Sequence, residues 1–110
     1  MTWLEEVESE LNRGHEAERI GNQGRVRTAA RRAVGIAITE YQRTLPGKRY
    51  GDDVMKQLRG VAEDRAIPED VREAATRLQT RLSQEFTSPS RQPLADALVI
   101  INFFKRELTL

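Results

Sequence analysis

The sequence predicts an all-α protein, a four- to five-helix up-and-down bundle in which residues 1–110 form a single domain. Apolar residues recur at three- and four-residue spacing in every convincing segment, as on one face of a helix. No segment alternates apolar and polar residues for long enough to form a strand. The readable connections are short, which favours antiparallel neighbouring helices. With 110 residues, the chain is close to the commonest size of one compact domain.

The first two helices are predicted over residues 3–20 and 24–45. Thr2 and Glu5 have the spacing of a capping box, and Gly21 is placed to end the first helix. Most residues on the apolar face of the second helix are small, which lets a neighbouring helix approach closely. Five arginines line the two borders of that face at about 100° per residue: Arg25, Arg32 and Arg43 on one, Arg27 and Arg31 on the other.

The remaining helices are separated by two loops, "LPGKRYG" (45–51) and "TSPSRQP" (87–93), both rich in turn-forming residues. Asp52 is the predicted N-cap of a third helix over 52–65. Pro68 suits the first turn of a fourth helix, whose apolar stripe continues to Phe86. The fifth helix is predicted over 93–108.

The fifth helix carries apolar residues all round its axis, so it must be covered on several sides. Either it runs through the middle of the bundle or its outer face meets another subunit. A chain of this length has little material to surround a central helix. We therefore predict a dimer contact formed by Leu98, Val99, Ile100, Phe103 and Phe104.

Composition excludes several classes of site. The chain has no cysteine, which excludes disulfides, thiolate metal sites and cysteine nucleophiles. A single histidine provides no paired-histidine metal motif, and we expect neither a metal nor a cofactor. The longest apolar run, "ALVII", is too short to span a bilayer, and the acidic start "MTWLEEVESEL" resembles no targeting peptide. We expect a cytoplasmic protein that does not bind membranes.

Charge is unevenly distributed along the chain, although the formal net charge is only +1. Residues 21–49 contain seven basic residues and one acid. Guanidinium and ammonium groups there could hold phosphates, and the candidates are Arg25, Arg27, Arg31, Arg32, Lys48 and Arg49. Alternatively, the arginine stems lie against apolar surface and the glutamates of the first helix neutralise them. We favour this structural interpretation, because the arginines occupy two borders rather than one broad face.

Other candidates have simpler explanations. The segment "GNQGRVR" (21–27) could bind an anion at a helix start, but a short helix–helix turn needs the same glycines. His15 lies at the edge of an apolar stripe and is interpreted as a packing or surface residue. Acidic pairs such as Asp52 and Asp53 stand at helix beginnings, where the helix dipole explains them. Tyr50 is the one aromatic residue that we expect a ligand to reach.

The order of helices, the small-residue helix "TAARRAVGIAITEY" and the late helix "PLADALVIINFF" resemble the HEPN superfamily. Its members are small bacterial and archaeal helical bundles, often dimeric, found beside nucleotidyltransferases or acting as ribonucleases. The nuclease members carry an arginine several residues before a histidine in a late helix. Here His15 is early and Arg13 is two residues before it, so that ribonuclease site is absent. The resemblance then implies a dimeric bundle that serves as a binding or partner module.

These observations predict a non-catalytic helical interaction module, a homodimer that could also bind another protein, with no catalytic residue assigned. The alternative is binding of nucleic acid or nucleotide phosphate through the second helix and the loop that follows it, which we favour less. An enzyme would need a site assembled from scattered residues that no motif in the sequence indicates.

Overall fold

The structure, a computed structural model, describes residues 1–45, 47, 49–80 and 90–109. This part of the chain forms five α-helices and no strand, which confirms the predicted all-α bundle. No helix in it is long and apolar enough to cross a membrane. The helices are α1 (Trp3–Arg19), α2 (Gln23–Thr44), α3 (Val54–Glu63), α4 (Glu69–Gln79) and α5 (Pro93–Thr109).

A very short link, Ile20 to Asn22, turns the chain from α1 into α2. Gly21 adopts φ = 77°, and its N–H donates to the Glu18 carbonyl at 3.1 Å while the Asn22 N–H donates to the Ala17 carbonyl at 2.8 Å. This pair of bonds is a Schellman motif, which satisfies the last carbonyls of α1. The Asn22 side chain then accepts from the Arg25 N–H at 3.1 Å and caps α2. The two helices are thereby held antiparallel.

The capping predictions are confirmed at α1 and wrong at α3. Thr2 and Glu5 form the reciprocal capping box at the start of α1. At α3 the cap is Asp53 rather than Asp52, because Asp53 directly precedes the first helical residue. Its Oδ1 accepts from the Lys56 N–H at 3.0 Å.

Helix α4 begins at Glu69, directly after Pro68, and ends at Gln79, so it is shorter than the predicted helix. Thr80 is extended, at φ = −69° and ψ = 130°, and its hydroxyl donates to the Thr76 carbonyl at 2.9 Å. The predicted continuation through Leu82 to Phe86 lies outside the described residues.

Helix α2 is the centre of the bundle and packs against α1, α3 and α5. Its small residues make this possible, since Ala30, Ala33 and Ala37 are completely buried. Helix α5 lies against α2 and α4 and also touches α1. Helices α1 and α5 pack tightly at Gly14 of α1, where an added Cβ would lie 2.6 Å from Leu94 Cδ2.

The structure changes the predicted contact surface of α5. Ile100 and Phe104 are completely buried, and the Phe104 ring packs edge-on against Tyr41, with 4.8 Å between ring centroids. These two residues belong to the core and are not available to a second subunit, because α5 turns this face toward α2. Of the five residues predicted for a dimer contact, Val99 and Phe103 are half-buried and Leu98 is 40% exposed.

Candidate functional site

The arginines of α2 divide into two groups, as the helical positions predict. Arg27 Nη2 donates to the Ser90 carbonyl at 2.6 Å, and Arg31 Nε donates to the Leu78 carbonyl at 2.8 Å. The Leu78 carbonyl belongs to the end of α4, and the Ser90 carbonyl belongs to the segment just before α5. The structural interpretation therefore fits Arg27 and Arg31, whose guanidinium groups hold distant parts of the chain against α2.

Arg25 and Arg32 lie on the opposite border and are exposed. Together with Arg13 of α1 they line a groove of about 770 Å³, here called the hairpin groove, between the second half of α1 and the first half of α2. Among the described residues, neither Arg25 nor Arg32 forms an ion pair. The floor of the hairpin groove is apolar, with Ala17 and Ala29 buried and Ile20 56% exposed. The apolar floor and the free guanidinium groups leave this surface open to a partner.

The acidic residues of the hairpin groove are Glu10 and Glu16. Glu10 Oε2 lies 3.5 Å from Arg13 Nη1, and a hydrogen bond from Arg19 lowers the pKa of Glu16. Both acids thus pair with arginines of α1 itself, so the expectation that they neutralise the arginines of α2 is wrong for these two. In the part of the chain that the structure describes, Glu10 Oε1 is buried without a hydrogen-bond partner.

The five predicted phosphate-binding residues that the structure describes are not all brought together. Arg49 lies in the loop between α2 and α3. A hydrogen bond from Lys56 and, to a smaller extent, the charge of Arg49 lower the pKa of Asp52, which lines a different groove. Lys48 lies outside the described residues. The start of α2 is already capped by the Asn22 side chain. Among the described members of the predicted set, Arg25 and Arg32 share a groove.

A second groove of about 430 Å³, here called the acidic groove, lies at the other end of the α1–α2 pair, where α3 begins. Trp3, Ile36 and Val54 are half-buried in it. It is lined by five carboxylates: Glu6, Glu10, Glu40, Asp52 and Asp53. Sequence reasoning explained Asp52 and Asp53 by the helix dipole alone. It missed this groove because no local pattern shows that α3 begins beside α1.

Four of the five carboxylates of the acidic groove have internal partners, since Glu10 faces Arg13, Glu40 binds Arg43, and Asp52 and Asp53 both face Lys56. A hydrogen bond from Arg43 lowers the pKa of Glu40, and Lys56 Nζ, 3.3 Å from Asp52 Oδ1, lowers the pKa of Asp52. Both groups therefore stay ionised at neutral pH.

The two grooves form one continuous surface, here called the α1–α2 furrow. Glu10 and Arg32 line both grooves and therefore mark its middle. One end of the furrow carries Arg13 and Arg25, and the other carries mostly carboxylates. The α1–α2 furrow is thus an apolar channel with opposite charge at its two ends.

Tyr50 is not the open aromatic residue that the sequence predicts. Its ring is half-buried against Gly60, and its hydroxyl donates to Asp64 Oδ2 at 2.7 Å. The loop around it is fastened to α2, since Gln42 Oε1 accepts from the backbone N–H groups of Tyr50 and Gly51 at 2.6 and 3.0 Å. Tyr50 therefore anchors its loop to the bundle.

A polar cluster that sequence reasoning missed joins α4 to α5. Arg77 binds Asp96 through two hydrogen bonds of 2.8 and 3.1 Å, and the hydroxyl of Ser90 donates to Asp96 at 2.6 Å. Ser90 is completely buried, so its hydroxyl cannot meet a substrate. No sequence signal pairs these residues, because nothing local relates positions in separate helices.

His15 is an exposed residue, in agreement with its interpretation as a packing or surface residue. Its Nδ1 lies 3.7 Å from Glu18 Oε1 within α1. Within the described ranges, no group of three or more histidine, aspartate or glutamate side chains is placed to hold a metal ion.

Comparison with protein-family models, with curated proteins and with solved structures finds no match for this chain. The resemblance to the HEPN superfamily therefore stays a prediction. The function has to be argued from the surface and the charges of the chain itself.

Proposed function

We propose that the chain is a non-catalytic interaction module that acts as a homodimer. The observation that carries the proposal is the α1–α2 furrow, an open channel with an apolar floor beside which Ile20 is 56% exposed. Large apolar side chains next to a groove are typical of protein-binding surfaces. The outer face of α5, with Leu98 40% exposed, is a smaller surface of the same kind.

The polar side chains that could act in catalysis are hydrogen-bonded to one another inside the fold, which supports this proposal. Ser90, Asp96 and Arg77 bind one another, and Tyr50 binds Asp64. These groups hold helices and loops together, so their hydrogen-bonding capacity serves the fold. The furrow, in contrast, presents guanidinium and carboxylate groups to solvent.

Multi-angle light scattering over about 0.1–100 μM protein tests the homodimer, because this range covers dimers of weak to moderate affinity. The chain mass is 12.6 kDa. We expect twice that mass at the upper concentrations and dissociation on dilution. A mass of one chain at every concentration would contradict the proposal.

Phosphate binding is a second candidate, and the gathering of Arg13, Arg25 and Arg32 around one groove favours it. Titration of labelled RNA and of single- and double-stranded DNA at two salt concentrations tests it. Three phosphate contacts predict a log–log salt slope of about −2.7 for duplex DNA. No binding at low salt would exclude this candidate.

Replacement of Arg25 and Arg32 by glutamine should weaken such binding and leave the fold intact. The same replacement at Lys105 and Arg106, two exposed residues of α5 outside the grooves, is the matched control. Equal loss in both variants would mean that binding follows net charge rather than the hairpin groove.

A further inference from the structure

We propose that the homodimer forms through the α1–α2 furrow, with a second copy of the chain docked end for end. This inference rests on the proposed homodimer and specifies its interface. The hairpin groove carries three arginines, Arg13, Arg25 and Arg32, beside Glu10 and Glu16, while the acidic groove carries five carboxylates around Arg32. A surface with opposite charge at its two ends is complementary to its own reverse.

Two-fold symmetry supplies that reversal. In a two-fold interface the same patch of each copy meets the other, so that residue i contacts residue j and j contacts i. An axis in the plane of the contact, perpendicular to the helices, lays the hairpin groove of one copy over the acidic groove of the other. Glu10 and Arg32 line both grooves, and the axis passes at their level, where Arg32 of each copy meets both Arg32 and Glu10 of the other.

The charges of α1 match under this operation. Arg13 lies three residues after Glu10, and Glu6 lies four residues before Glu10. At a rise of about 1.5 Å per residue, the two lie about 4.5 and 6 Å from the axis on opposite sides. Arg13 of each copy therefore comes to the level of Glu6 in the other copy.

The charges of α2 match in the same way. Arg25 precedes Arg32 by seven residues and Glu40 follows it by eight, which corresponds to about 10 and 12 Å from the axis. Arg25 of each copy comes to the level of Glu40 in the other. Arg25 forms no ion pair among the described residues, so it is free to bind that carboxylate beside Arg43.

Apolar residues of the furrow match as well. Ile20 lies at the hairpin end and is 56% exposed, while Trp3 and Ile36 are half-buried at the acidic end. The reversal brings Ile20 of each copy, about 15 Å from the axis, to within about one helical turn of Trp3 of the other, about 10 Å from the axis, while Ile36 lies nearer the centre. Burial of these side chains supplies the hydrophobic contribution that a rim of charges alone does not provide.

Charge reversal tests the arrangement. One variant carries Arg13→Glu and Arg25→Glu, and a second carries Glu6→Lys and Glu40→Lys. In a homodimer of either variant, the contacts between positions 13 and 6 and between positions 25 and 40 both join groups of like charge. We expect the dimer dissociation constant of each to rise by roughly a hundredfold, because like charges then face one another. A one-to-one mixture restores opposite charges at both contacts and should form a heterodimer.

Two controls locate the interface. Lys105→Glu with Arg106→Glu makes the same change of net charge on α5, and Leu98→Glu places a charge on its exposed apolar residue. Both should leave the dissociation constant unchanged within a factor of about two. Circular dichroism and urea unfolding of all variants show that each is folded.

Each outcome decides between the proposals. If the α5 variants dissociate and the furrow variants remain dimeric, the homodimer stands and the furrow interface is wrong. If the furrow variants dissociate but their mixture stays monomeric, the end-for-end arrangement is wrong. A wild-type protein that is monomeric throughout overturns both the homodimer and its interface.

Discussion

Arg77 and Asp96 form a paired set of hydrogen bonds that ties α4 to α5, with Nη2 to Oδ1 at 2.8 Å and Nε to Oδ2 at 3.1 Å. The pair raises the pKa of Arg77 through the hydrogen bonds to Asp96. Asp96 also accepts a hydrogen bond from the hydroxyl of Ser90. The backbone carbonyl of Ser90 in turn accepts a hydrogen bond from Arg27 of α2. One carboxylate therefore connects three helices.

Asp96→Ala should lower the free energy of unfolding by about 2–3 kcal/mol. Loss of one partner of a buried pair leaves the other groups without an acceptor. Because the Arg77 side chain is 40% exposed, the expected loss is smaller than the roughly 3–5 kcal/mol for breaking a fully buried pair. Urea unfolding measures it, with Glu8→Ala on the exposed face of α1 as the control. A loss below about 0.5 kcal/mol, the size of an ordinary surface change, would contradict the structural role of Asp96.

The two borders of α2 should differ in their contribution to stability. Arg27→Gln and Arg31→Gln each remove a hydrogen bond to a distant carbonyl, and we expect each to cost about 1–2 kcal/mol. Arg25→Gln and Arg32→Gln change exposed side chains and should stay within about 0.5 kcal/mol. The same urea experiment on four single variants tests this division. Equal losses of stability on both borders would show that Arg27 and Arg31 do not hold distant parts of the chain against α2.

Gly60 should not tolerate alanine. A Cβ at Gly60 would lie 2.8 Å from Tyr50 Cβ and 3.2 Å from Tyr50 Cα, so the backbone of the loop would have to move. We expect a loss of about 1–3 kcal/mol. Gly35→Ala is the matched control, because its nearest neighbours are at an ordinary 3.4 Å and the change should stabilise the helix by up to about 1 kcal/mol. If Gly60→Ala is as stable as Gly35→Ala, then Tyr50 does not pack closely against α3.

Tyr50 should make stability depend on alkaline pH. Burial, together with the hydrogen bond to Asp64, raises the pKa of Tyr50 above its ordinary value. A raised folded-state pKa contributes stability that is complete below the unfolded value of about 10 and is lost as the pH rises above it. Urea unfolding between about pH 8 and pH 11 should therefore show a decline that starts near pH 10.

Tyr50→Phe is the control for this pH dependence. It should cost about 1 kcal/mol at neutral pH, because Asp64 loses a hydrogen bond, and it should flatten the alkaline decline. An identical alkaline decline in the variant would assign the effect to another group.

Helix positions could be predicted because the signals are local. Apolar periodicity places α1, α2 and α5 within one residue of their structural ends, since a helix closes its hydrogen bonds within one turn. The same reasoning placed Arg25 and Arg32 on a different border from Arg27 and Arg31. It was wrong at α4, which ends at Gln79, because the apolar stripe continues past the point where the backbone becomes extended.

The tertiary structure decided what each helix face meets. Arg27 binds a carbonyl 63 positions away and Arg31 one 47 positions away, and periodicity within α2 carries no information on either. Ile100 and Phe104 looked like interface residues because an apolar helix must be covered, yet periodicity does not say whether its own bundle or a second subunit covers it. The polarity of the α1–α2 furrow arises because a three-residue link folds α2 back along α1 and places the beginning of α3 beside Trp3. By itself, then, the sequence determined the helices and their faces, which depend on neighbours within a turn. Pairing between faces depends on the packing of the whole chain, and only the tertiary structure decided it.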